Sequence, residues 1–226
     1  EELPLLPSRL ERVLLFAWSN LADRNPSTRL RSARFEMMSV ALTQALFLRE
    51  NAARVLADEH AGEETRLAAY RMLLDAAALL EYAASRSRNF SEPALLPDDL
   101  HPQVLQALAQ QVVAEAQEVT VATGVAKGTK PSLLARLARD CSDKIGAAHQ
   151  ATAFLEGNQD HVQRWRAYLE LKTQVNPSQA SSTKWVVFDL IRAKGVRWLD
   201  WVLHQNGALP YKTELMIQAR GTFRSG

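Results

Sequence analysis

Glu115 and Glu118 are the two residues whose type and spacing come closest to a chemical site. They are one turn apart in a predicted helix, so their carboxylates share one side of it, and such pairs can anchor a di-iron centre in a helical bundle. These centres also use a Glu-x-x-His arrangement on facing helices. Because the sequence contains no such arrangement, an enzyme with a metal in the bundle core is the weakest of the functions considered.

The other residue types that commonly do chemistry also lack a recognisable pattern. Cys141 falls on the apolar side of a predicted helix, which favours a small buried thiol over a nucleophile. Gly124, Gly128 and Lys130 match no phosphate-binding motif. We therefore predict a protein that is not an enzyme and binds no metal or cofactor. The five histidines have no zinc-like spacing: His60, His101, His149, His161 and His204.

The composition narrows the class of protein further. The 226 residues are 47% hydrophobic and carry a net charge of +2, with Lys and Arg interleaved with Asp and Glu, so a nucleic-acid partner is not expected. One cysteine excludes an internal disulfide and fits a reducing compartment. No apolar run reaches the roughly 18 to 20 residues that span a bilayer, and the first residues lack the basic start of a signal peptide. We expect a soluble cytoplasmic protein that meets membranes only peripherally, through a partner.

Hydrophobic periodicity predicts an all-α fold. A capping box at Ser8 predicts a first helix through residue 21, with Leu14, Ala17 and Trp18 on its apolar side. Asp99 is the predicted cap, and Pro102 the first turn, of the fourth helix. Short links between helices predict an antiparallel bundle or an α-solenoid. The other predicted helices cover residues 28–57, 63–88, 131–155 and a segment around Trp165.

The last part of the chain has a different character from the rest. Residues 176–182 are a polar break, and three of the five tryptophans follow it. Residues 184–203 could form one tryptophan-rich helix, and residues 211–218 alternate as a strand does. We therefore divide the chain into a helical domain, residues 1–172, and a tail of unclear structure, residues 173–226.

Three helical segments carry a resemblance to a known family. Residues 35–42, 114–119 and 164–172 have the sequences FEMMSVAL, AEAQEV and RWRAYLELK. In this order they resemble the BRO domain, a boomerang-shaped helical module, and the similarity covers residues 14–172. A whole BRO domain is longer, so the resemblance implies the middle portion of such a domain, followed by an irregular tail.

The resemblance also implies a function and a set of site residues. In the BRO family a hydrophobic patch receives the amphipathic carboxy-terminal helix of an ESCRT-III subunit, a charged multivesicular body protein. The implied role is a non-enzymatic adaptor in endosomal sorting or membrane remodelling, recruited from the cytoplasm to endosomes. Two patch positions fall at Leu133 and Leu137, Thr120 stands where the family can have an aromatic residue, and an acidic patch residue falls at Glu63 or Glu64.

Alternatives remain open at this stage. Periodicity alone would place Leu133 and Leu137 in the core. The chain could also be a generic helical scaffold with an unrelated partner, or a non-functional fragment of a longer BRO-domain protein. The sequence specifies neither the ESCRT-III subunit nor the oligomeric state.

Overall fold

Five α-helices make up most of residues 14–19, 27–58, 60–155 and 160–174, which are the residues that this computed structural model describes. The helices pack in series, each against the next along the chain. This arrangement confirms the predicted all-α fold. The helices are α1 (Ala33–Leu56), α2 (Glu63–Arg88), α3 (Pro102–Ala126), α4 (Pro131–Ala151) and α5 (Asp160–Gln174).

A short antiparallel hairpin precedes α1. Its strands are β1 (Phe16–Ser19) and β2 (Ser27–Leu30), with Phe16 opposite Leu30. Phe16 and Trp18 pack against the core while Ala17 and Ser19 are exposed, so burial alternates with the period of two that strands have. The helix predicted through Leu14, Ala17 and Trp18 is therefore wrong over residues 14–19. Its predicted capping box at Ser8 lies outside the described residues.

The start of α1 also differs from the prediction. The helix was predicted from residue 28, but it begins at Ala33, because Ser32 caps it with its side-chain oxygen accepting a hydrogen bond from the Phe35 N–H at 3.3 Å. Trp18 of β1 donates its indole N–H to Glu36 at 2.5 Å, which fixes the hairpin on the first turn of α1. In contrast, α2 has the predicted bounds, residues 63–88.

The cap of α3 is a further correction. Asp99 lies in a single turn of 3₁₀ helix, Asp98–Leu100, and does not cap α3. His101 does so instead, since its Nδ1 accepts a hydrogen bond from the Gln103 N–H at 3.3 Å. Pro102 is the first residue of α3, as predicted.

Two apolar clusters lie between the helices. The larger joins α1, α2 and α3, and α2 contributes mainly alanines to it, which lets its neighbours approach closely. The smaller joins α3, α4 and α5 and contains Ile145, Trp165 and Leu169. In the described ranges, no helix is both long and apolar enough to cross a membrane. The predicted tryptophan-rich helix and strand-like segment lie outside those ranges.

Candidate docking face

Glu115 and Glu118, the pair considered as a metal site, each bind a basic side chain from a neighbouring helix. Arg49 of α1 donates to Glu115 of α3, with its Nε 2.6 Å from Oε2. Lys172 of α5 donates to both carboxylate oxygens of Glu118, at 2.7 and 2.8 Å. Across the described residues, no three potential ligands come together as a metal site would need. Glu115 and Glu118 therefore hold helices together.

These pairs are charged although they are buried. Burial raises the pKa of the Glu115 carboxyl, but the charge and hydrogen bond of Arg49, together with Lys172 and Gln111, outweigh burial and hold that pKa below its usual value. Burial lowers the pKa of Lys172, but Glu118, Tyr168 and Glu115 together outweigh burial and hold the pKa of Lys172 above its usual value. Trp165 adds a neutral contact, its indole N–H donating to Gln111 Oε1 at 2.8 Å. Together these contacts fix α5 on one side of α3.

Cys141 is buried between α4 and α3. Its Sγ lies 3.5 Å from the carbonyl oxygen of Ala114, to which the thiol donates. Burial raises the pKa of Cys141 to about 12. The side chain is thus a protonated thiol at neutral pH, and the structure confirms the small buried thiol that the sequence favours over a nucleophile.

Helix geometry shows which side of α3 and α4 faces away from α5. Residues nine apart lie about two and a half turns apart, on opposite sides of a helix. Gln111 of α3 and Ser142 of α4 both contact α5, through Trp165 and through the carbonyl oxygen of Thr173. Thr120 and Leu133, nine residues from them, therefore lie on the other side. We call this side of α2, α3 and α4 the far face.

A groove between α2 and α3 opens on the far face. It encloses about 570 Å³ and runs along the amino-terminal part of α2 and the carboxy-terminal part of α3. Lys127 forms an exposed ion pair with Glu63 at its edge, and the hydrogen bond from Lys127 holds the pKa of Glu63 below its usual value. Surface pairs of this kind contribute little to stability. The apolar part of the lining includes Leu67, Tyr70, Val119 and Gly124, with Thr120 and Thr123 beside them.

The five residues predicted for the partner site are placed as follows. Glu63 and Thr120 line the α2–α3 groove, and Glu64 is exposed outside its lining. Leu133 is 48% exposed at the start of α4. Leu137, one turn later, is half-buried on the same side of α4. The side-chain amide of Gln117 donates to the Leu137 carbonyl oxygen at 3.1 Å, which joins α3 to α4.

Sequence reasoning missed part of the groove. Hydrophobic periodicity would place Leu67 and Leu74 on a core-facing side of α2, but Leu67 is 45% and Leu74 is 40% exposed. The residues of α2 that face the core are instead largely alanines, such as Ala69 and Ala76. A stripe of alanines at helical spacing was the signal that could have identified the exposed leucines.

Comparison with known proteins identifies relatives of this chain. A family model described as BRO1-like domain matches residues 2–189. The BRO1 domain-containing protein BROX of Mus musculus is 30% identical over 73% of this chain and 40% of its own length. Human BROX is 28% identical with the same coverage, and the Caenorhabditis elegans BROX homolog is 26% identical over 38% of its length. The chain thus spans about two fifths of the length of these relatives.

Proposed function

Because this chain belongs to the BRO1-like domain family, a family of protein-interaction adaptors, we propose that it is a non-enzymatic adaptor whose far face binds an ESCRT-III subunit. The ligand is the amphipathic carboxy-terminal helix of a charged multivesicular body protein. The proposed setting is endosomal sorting or membrane remodelling, with the adaptor moving from the cytoplasm to endosomes when its partner is there.

The exposure of Leu133 is the observation that carries this proposal. An amphipathic helix binds a groove through apolar anchors spaced by three and four residues, and the receiving surface must offer apolar side chains at matching spacing. Leu133 and Leu137 provide one such turn on α4. A fully core-facing Leu133 would have left this turn of α4 without an exposed leucine.

The position of the groove supports the same mode of binding. The groove and the two leucines share the far face, so one partner helix can contact α2, α3 and α4 together. On the opposite side, α5 already covers α3 through Trp165 and Lys172. The far face is therefore the side of α3 that can receive a helix without displacing α5.

Titration with a labelled peptide tests the proposal. We expect a fluorescent ESCRT-III carboxy-terminal helix peptide to bind saturably, with a Kd on the order of micromolar, since a single helix buries an area at the low end for specific interfaces. Fluorescence anisotropy measures the Kd. Leu171→Asp is the matched control, because Leu171 is 53% exposed on α5, and this variant should bind like the unmodified protein. Anisotropy that does not saturate with any subunit's peptide up to about 1 mM would contradict the proposal.

A further inference from the structure

A chain of hydrogen-bonded side chains runs from α1 through α3 to α5. Arg49 of α1 donates to both carboxylate oxygens of Glu115, and the side-chain amide of Gln111 donates to Oε1 of the same carboxylate at 2.9 Å. Gln111 Oε1 in turn accepts the indole N–H of Trp165 on α5 at 2.8 Å. Gln111 and Glu115 are four residues apart, so they lie on the same side of α3.

The helices α1 and α5 contribute to different parts of the core. The apolar side chains of α1 belong to the cluster with α2 and α3, whereas those of α5 belong to the cluster with α3 and α4. Among the residues that the structure describes, neither cluster contains side chains of both α1 and α5. The polar chain through Gln111 therefore connects two helices that the apolar clusters leave separate.

The members of this chain are shielded from water. Arg49, Gln111 and Trp165 are buried, and the Glu115 side chain is 16% exposed. A buried donor or acceptor that loses its partner costs free energy, because little water is present to replace the lost hydrogen bond. The loss of any one of these contacts is therefore not offset by solvent.

The donor and acceptor types in this chain fix the orientation of the Gln111 amide. An ionised carboxylate can only accept hydrogen bonds, and an indole N–H can only donate one. The –NH₂ group of Gln111 must therefore face Glu115, and its oxygen must face Trp165. In the reversed orientation both contacts would be lost, because oxygen would face oxygen and N–H would face N–H.

Arg49 keeps Glu115 in the form that this orientation needs. Burial raises the pKa of Glu115, and Arg49 makes the largest contribution that opposes burial and keeps the carboxyl ionised. A protonated Glu115 can donate a hydrogen bond to Gln111, which favours the reversed amide. The reversed amide would place its –NH₂ group in front of the Trp165 indole, which would then have no acceptor there.

We propose that Arg49 of α1 is a positioning residue for α5, and that it acts through the Gln111 amide, which presents its oxygen to Trp165 while Arg49 holds Glu115. Helix α5 therefore docks more firmly when α1 is packed on α3, and the fold couples two helices that belong to different apolar clusters. Coupling of this kind needs an element with two arrangements that both sites can bias, and the two orientations of the amide provide it.

Hydrogen exchange of the Trp165 indole N–H, followed by nuclear magnetic resonance on the full chain, tests this proposal. Trp165→Phe identifies the signal among those of the five tryptophans. Arg49→Met should speed exchange of this N–H at least about tenfold more than exchange of the Leu80 amide, which lies in the buried part of α2. Arg54→Met is the matched control, because Arg54 is exposed and pairs with Glu50 on the same helix, and it should change either rate by less than about twofold.

A further set of variants shows whether the effect passes through Gln111. Gln111→Met removes the amide and should itself speed exchange of the Trp165 indole N–H. Arg49→Met added to Gln111→Met should then change this rate by less than about twofold relative to Leu80, because the amide that carries the effect is already gone. Arg49→Lys keeps the charge but not the paired hydrogen bonds, so it should give a smaller rise of the same sign. It replaces Arg49→Met in both comparisons if that variant does not fold.

Three results would overturn the proposal. A Trp165 exchange rate that rises no more than the Leu80 rate in Arg49→Met would show a general loss of stability. An unchanged Trp165 rate in Arg49→Met would show that α5 docks independently of α1. An acceleration beyond about twofold when Arg49→Met is added to Gln111→Met would show that the effect reaches α5 by another route.

Discussion

Lys172→Met should lower the free energy of unfolding by about 3–5 kcal/mol, the cost of breaking a buried ion pair by removing one partner. The Lys172 side chain is 3% exposed and that of Glu118 is 9% exposed, so Lys172→Met leaves a buried carboxylate without its Lys172 counter-ion. Proteins of this size are stable by about 5–15 kcal/mol, so the loss is a large fraction of the total. Urea denaturation followed by circular dichroism measures it.

Two control variants show whether the effect comes from the buried charge. Lys172→Met combined with Glu118→Gln should be more stable than Lys172→Met alone, because the carboxylate that has lost Lys172 is then replaced by a neutral amide. Arg139→Met removes the Arg139–Asp143 pair, whose side chains are 68% and 62% exposed, and should change stability by less than about 0.5 kcal/mol. A Lys172→Met variant within about 1 kcal/mol of the unmodified protein would contradict the assignment of this contact as a buried ion pair.

The two buried ion pairs should make the free energy of unfolding depend on pH in opposite directions. The pKa of Lys172 is raised on folding, so its contribution to stability is present below the unfolded-state pKa and is lost as pH rises through the folded-state pKa. The pKa of Glu115 is lowered, so its contribution is lost in acid, as pH falls below the usual range of a carboxyl. In Lys172→Met, burial should raise the pKa of Glu118, and the stability difference from the unmodified protein should shrink as pH falls from 7 toward 5.

Leu133→Asp combined with Leu137→Asp should reduce binding of the ESCRT-III helix peptide by at least about 100-fold while the helical content stays intact. The two carboxylates would face an apolar partner stripe and would lose their water in the complex. In the free protein Leu133 is already half in solvent, so the first substitution costs the fold little. Leu137 is half-buried, so its substitution costs the fold more. We therefore expect the double variant to melt at a lower temperature than the unmodified protein and still to be folded at the temperature of the titration.

Peptide titration and thermal melting of the double variant must be measured together. Leu171→Asp provides the reference, since it adds the same charge at a leucine of similar exposure on α5. Loss of the folded baseline in the double variant would show that the leucines belong to the core. Normal melting with normal peptide binding would place the peptide-binding site elsewhere on the protein and would contradict the role of the two leucines.

Local sequence signals predicted some elements well. The bounds of α2 followed from its periodicity and flanking turns, and the start of α4 followed from Pro131 after the Gly128 turn, where φ is +68°. The hairpin was missed because Leu14, Ala17 and Trp18 happen to fall at helical spacing, whereas Phe16 and Trp18 form the buried side of a strand. Short apolar segments fit both periods, and tertiary contact with α1 decides between them.

The site needed more than periodicity. The sequence identified an apolar side on α4 but could not show that α5 covers α3 on the side of Gln111, which leaves Thr120 on the far face. The resemblance provided the leucine pair at positions 133 and 137. Leu67 and Tyr70 line the groove because of the rotation of α2 about its own axis. The small alanines of α2 face the core, and this turns Leu67 and Tyr70 toward the groove.

Mapping the peptide on the protein by amide chemical-shift changes in nuclear magnetic resonance tests the adaptor account most directly. Addition of the ESCRT-III helix peptide should shift the amide signals of residues 63–74 on α2 and of residues 119–137 on α3 and α4. These two ranges contain the residues of the far face. Amides near Leu171 on α5 should change little. Shifts concentrated on α5, or no shifts at saturating peptide, would contradict the proposed docking face.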